Sequence, residues 1–80
     1  MMVQAQLSVY PLRTKALREP IEVFCQELQN AGLKMETQSM STLIAADSDS
    51  LFAAVKRAFD VLAEDYDVVM DLRVSNACPD

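Results

Sequence analysis

Eighty residues weighing 8.9 kDa allow one domain, residues 1–80, built on one small core. With 51% hydrophobic and 24% charged residues the chain is too rich in large aliphatic side chains for a disordered segment. Twelve acidic against seven basic residues leave a net charge of -5, and histidine is absent. The charge argues against nucleic acid and anionic membrane surfaces, and the missing histidine excludes His-based triads and most catalytic zinc sites.

Residues 3–10 alternate, with Val3, Ala5, Leu7 and Val9 opposite Gln4, Gln6, Ser8 and Tyr10. Period two over eight residues predicts a half-buried strand, which Pro11 is expected to end. From Pro20 to Ala31, Ile21, Phe24, Cys25 and Leu28 recur at helical spacing, and Gly32 stands where a left-handed cap is needed. Leu33 to Gln38 alternates again, and residues 41–46 form a further strand of ambiguous facing, joined to it by a turn through Gln38, Ser39 and Met40. Asp47, Ser48, Asp49 and Ser50 are N-cap residues before a second helix that runs to about residue 64. Val68, Met70, Leu72 and Val74 then alternate with Val69, Asp71, Arg73 and Ser75 as a last strand.

The order β-α-β-β-α-β is that of an α+β, ferredoxin-like sandwich. Two right-handed crossovers give a four-stranded antiparallel sheet with both helices on one face and the first strand between the third and fourth. Gln6, Ser8 and Tyr10 then share the sheet's open face with Asp71. A glutamine amide donates and accepts, a carboxylate accepts from an amine or balances a cation, and a tyrosine ring stacks on a flat heterocycle. Met40 in the hairpin is placed to line a pocket, whereas Met35 and Met70 fill gaps against the helices. Cys25 belongs to the helical stripe and Cys78 has no base to activate it, so neither is expected to be a nucleophile. Two cysteines suggest no disulfide framework, no apolar run approaches the roughly 18–20 residues of a membrane span, and the N-terminus lacks the features of a signal peptide. The expectation is a cytoplasmic protein with reduced thiols and no membrane insertion.

Three stretches carry a resemblance. Gln6 to Leu12, then Met40-Ser41-Thr42 with the helix Leu51 to Lys56, then Val68-Val69-Met70 with Ser75 to Asp80, together resemble the YkoF-type thiamine/hydroxymethylpyrimidine-binding family. The Tyr-Pro, Ser-Thr and Cys-Pro pairs occur in matching order over nearly the whole chain. The resemblance implies a ferredoxin-like, non-catalytic binder of thiamine or its hydroxymethylpyrimidine precursor, tied to uptake or salvage, without a cofactor or metal. It adds Ser41 and Thr42 to the candidate ligand-binding set of Gln6, Ser8, Tyr10, Met40 and Asp71. Members of that family carry two tandem repeats, so a homodimer or dimer of dimers is expected to take the second repeat's place here. Leu43 or Ile44, with Val69, would otherwise be exposed. The competing reading is an ACT-like regulatory or structural oligomerisation module that pairs through its open sheet face. An enzyme ranks third, because no nucleophile–base pair is present.

Overall fold

The computed structural model describes residues 1–38 and 41–77. In chain order they form β1 (Met2–Leu12), α1 (Arg18–Asn30), β2 (Lys34–Thr37), β3 (Thr42–Asp47), α2 (Ser48–Ala63) and β4 (Asp67–Ser75). The strands make one antiparallel sheet in the order β2-β3-β1-β4. This is the expected ferredoxin-like α+β arrangement, with β1 central.

Alternation along β1 is what builds the core. Val3, Ala5 and Leu7 are buried, and Ile44 and Ala46 of β3 join them, so the facing of β3 is resolved with Leu43 on the open side. Phe24 and Leu28 of α1 and Leu51, Ala54, Val55, Ala58 and Leu62 of α2 close over this row. Burying each large aliphatic or aromatic side chain contributes about 1.5–3 kcal/mol, which favours this pairing of faces over any shifted register.

Three details depart from the sequence expectation. β1 does not stop at Pro11 but pairs on to Leu12↔Asp67 of β4. Its pairing with β3 ends at Leu7↔Thr42 among the described residues, so Pro11 lies beyond that ladder, where a residue without an N–H is accommodated. The helix α1 starts at Arg18, and its buried line is Pro20, Phe24 and Leu28, leaving Ile21 42% exposed. In α2 the cap is Asp47 alone, and Ser48 to Ser50 already belong to the first turn. Gly32 follows α1 with φ 77° and donates its N–H to the Gln29 carbonyl, as expected of a left-handed cap.

The cap of α2 is tied to the start of the chain. One Asp47 oxygen accepts from the Asp49 N–H at 3.1 Å, and the other takes the Met1 ammonium at 2.8 Å. The Ser48 N–H donates to the Met1 carbonyl at 2.8 Å. That ammonium, bonding directly, holds the Asp47 carboxyl below its usual range, helped by the Asp49 N–H; in return the carboxylate raises the amine. At the other end of β1, Arg13 sits in the left-handed region (φ 57°), and its guanidinium meets Asp67 at 2.7 Å.

Candidate functional site

The site arises from unequal strand lengths. β1 has eleven residues and β3 six, and their register runs only from Met2↔Asp47 to Leu7↔Thr42. Beyond Leu7, β1 therefore keeps β4 as neighbour on one side, and among the described residues no strand pairs with it on the other. A cavity of about 300 Å³ occupies that notch. Small-molecule sites commonly fall between about 300 and 1,000 Å³, so the volume suits a compact ligand.

Three elements supply its walls. Leu7, Ser8, Val9 and Tyr10 come from β1, and Thr37, Gln38, Ser41 and Thr42 come from the β2–β3 hairpin. The floor is the side of α1 that carries Ile21, Phe24 and Cys25. A Gln38 N–H bond to the Ser41 carbonyl, 2.7 Å, closes the hairpin above it. The described lining residues carry hydroxyls, one amide and one thiol over an apolar floor, and none bears a formal charge at neutral pH. Such a surface suits a flat, neutral ring that is hydrogen-bonded at its edge and packed on its face.

The sequence-derived candidates divide accordingly. Ser8, Tyr10, Ser41 and Thr42 line the cavity together. Thr42 turns towards the helix layer and is only 9% exposed. Its hydroxyl makes no hydrogen bond among the described residues, yet no side-chain N or O there is both sealed from solvent and unpaired. The hydroxyl is therefore not sealed from solvent, in a residue that lines the cavity. Gln6 stands outside, between Leu43 and Arg73 on the open face, and its Nε2 donates to Ser41 Oγ at 3.3 Å. Asp71 lies opposite Ser8 in the register but is exposed on the open face and does not line the cavity. Met40 lies outside the described residues, as does Cys78.

Leu7, Val9, Ile21, Phe24, Cys25, Thr37 and Gln38 line the cavity without having been marked by the sequence. Ile21 and Cys25 are four apart and share one flank of α1, but a helical stripe reads the same whether it meets core or cavity. Among the described residues no group of three or more His, Cys, Asp or Glu is placed to hold a metal ion. No described helix is long and apolar enough to cross a membrane.

Fold and cavity together define a ferredoxin-like α+β domain with a compact, uncharged pocket at a strand end. The sequence profile of the thiamine-binding proteins matches residues 5–77, and the chain belongs to that family. Among solved structures it is similar to a hypothetical protein of Methanocaldococcus jannascii, with 26% identity, a TM-score of 0.87 and coverage of 99% of this chain and 84% of the other. A Streptococcus pneumoniae protein shares its fold at 21% identity and a TM-score of 0.87, covering 94% and 86%. A Thermotoga maritima protein provisionally named for thiamine biosynthesis or salvage does so at 19% identity and a TM-score of 0.85, covering 94% and 83%. No curated protein matches the chain significantly in sequence.

Proposed function

We propose that the protein is a non-catalytic, cytoplasmic binder of thiamine or hydroxymethylpyrimidine that serves thiamine uptake or salvage and works as a homodimer or dimer of dimers. The observation that carries this reading is the uncharged cavity framed by Ser8, Ser41 and Thr42 in a member of the thiamine-binding family. An aminopyrimidine offers ring-nitrogen acceptors and an exocyclic amine donor. Hydroxyls and the Gln38 amide answer both, while Phe24 and Ile21 provide an apolar bed for the ring. The pyrimidine is the part that thiamine shares with hydroxymethylpyrimidine, and the salvage name of the Thermotoga maritima relative favours the same chemistry. Exposed Val69 and Tyr10, each 50% accessible, favour association of copies.

The test is a thermal-shift and calorimetry series with thiamine, hydroxymethylpyrimidine, the isolated hydroxyethylthiazole and a set of amino acids. A ligand at 100 times its Kd adds about 2.7 kcal/mol of stability. The two pyrimidine compounds are expected to stabilise and the thiazole is not. A response to amino acids alone would instead support the ACT-like regulatory reading. Mass spectrometry after incubation should return thiamine unchanged.

A further inference from the structure

β4 is the outer strand of the sheet, and among the described residues β1 is its one strand partner. Its far edge extends over nine residues, against four in β2 on the opposite edge. A long edge presents a row of N–H and C=O groups ready to pair with another chain, and proteins usually blunt it with proline, lysine or a bulge. β4 contains neither proline nor lysine, and its register with β1 is unbroken from Gln4↔Ser75 to Leu12↔Asp67, so it has no bulge there. Asp71 and Arg73 are both exposed on the open face, and neither takes part in an ion pair among the described residues.

We propose that β4 pairs antiparallel with β4 of a second copy about a twofold axis at Leu72, joining two sheets into one of eight strands. Charge decides the register. A twofold axis perpendicular to the sheet pairs residues of the same face, so one residue of β4 must lie on it. With Asp71 on the axis two carboxylates face each other, and with Arg73 on it two guanidinium groups do. With Met70 on the axis Arg73 meets the partner's Asp67, whose counterpart in each copy is already held by Arg13 at 2.7 Å, and Asp71 meets an apolar valine. With Leu72 on the axis Asp71 lies opposite the partner's Arg73, twice by symmetry. On the helix side Leu72 then meets its own counterpart, and Met70 meets the partner's Val74. Leu72 and Met70 are only half-buried and Val74 is 40% exposed, so this register covers all three. It also occupies Asp71 with a fixed cation outside the cavity, leaving ligand recognition to the uncharged lining. The pairing rests on the homodimer reading and goes beyond it by fixing edge and register; it is independent of the ligand.

The experiment is sedimentation equilibrium on the wild type, Asp71→Arg, Arg73→Asp and the double exchange Asp71→Arg/Arg73→Asp. The wild type is expected to sediment at about twice 8.9 kDa, or at about four times where two such dimers associate. Each single reversal turns two opposite-charge pairs into two like-charge pairs and should raise the dimer Kd roughly 4- to 800-fold. The double exchange restores the pairs and should return the Kd to within about threefold of wild type. Wild type that stays at 8.9 kDa at high micromolar concentration would overturn both the dimer and the pairing. A dimer indifferent to the single reversals, or not restored by the exchange, would overturn the pairing alone. Should a variant fail to fold, amide exchange on the wild type decides: protection along residues 69–75 should rise with protein concentration, and protection that does not would refute the edge. A stabilising response to thiamine in the monomeric single variants keeps the ligand question separate.

Discussion

Thr42→Val removes one hydroxyl and leaves the side chain's volume unchanged. Thr42 is 9% exposed and its hydroxyl has no protein partner among the described residues, so the folded protein gives up no internal hydrogen bond. The unliganded variant should therefore keep its stability within about 1 kcal/mol, a Tm change of less than about 8 °C for a domain of this size. Binding should respond differently. A ligand group left unpaired in the cavity costs about 1–3 kcal/mol, or roughly 5- to 150-fold in Kd. At a thiamine concentration of 100 times the wild-type Kd, the wild type gains about 2.7 kcal/mol, whereas the variant should gain only about 0.3–1.8 kcal/mol. Thermal unfolding with and without thiamine, checked by calorimetry, measures both numbers. If the variant binds like wild type, the hydroxyl does not read the ligand. If it loses several kcal/mol without ligand, the hydroxyl was holding the fold and the geometry argued for it is wrong.

Three further perturbations test separate parts of the structure. Gln6→Ala, at an exposed position, should change stability by less than about 0.5 kcal/mol, yet weaken thiamine by up to about tenfold through release of Ser41. Calorimetry on Gln6→Ala/Ser41→Ala should then show no greater loss than Ser41→Ala alone, and additive losses would mean that Gln6 meets the ligand itself. Gly32→Ala has open space around the added carbon, so only the backbone at φ 77° objects, at roughly 1–2 kcal/mol and a Tm lower by roughly 4–16 °C. An unchanged Tm would mean that the cap conformation relaxes without strain. The Met1–Asp47 pair predicts a two-sided pH profile. The lowered Asp47 carboxyl contributes stability above 3.8 that is lost as pH falls through its folded value, and the raised amine contributes stability below 8.0 that is lost as pH rises through its own. Asp47→Asn should flatten Tm against pH at both ends, and a profile that keeps its shape would assign the dependence to other groups.

Period-two and helical spacing carried the architecture because each element buries one face and β1 declares its face without ambiguity. The residues that alternation put on the open face of β1 and β4 are there in the structure. What spacing does not encode is where one strand stops beside another. The cavity lies where the described pairing of β3 ends opposite Leu7, a long-range fact of register that neither strand's own sequence states. For the same reason Asp71 and Ser8, opposite one another in the ladder, part company at the site: Ser8 borders the notch and Asp71 stays on the open face. Helix rotation was the other hidden variable. A stripe that includes Ile21 and one that includes Pro20 are almost equally apolar, and burial of Pro20 turns Ile21 and Cys25 towards the notch. The resemblance to thiamine binders marked Ser41 and Thr42, which spacing alone did not, and both came to lie in the cavity.

The short β3 sets up a competition that can be engineered. Past Leu7, β1 pairs with no described residue of β3, and the cavity lies along that flank. Lengthening the hairpin by two residues on each arm would let the protein complete its own ladder and cap the floor provided by α1. The resulting chain should be harder to unfold and blind to its ligand, because the guest and the added strand would claim the same space beside Ser8 and Tyr10. A longer strand and a bound ligand are thus rivals for one place at the side of β1.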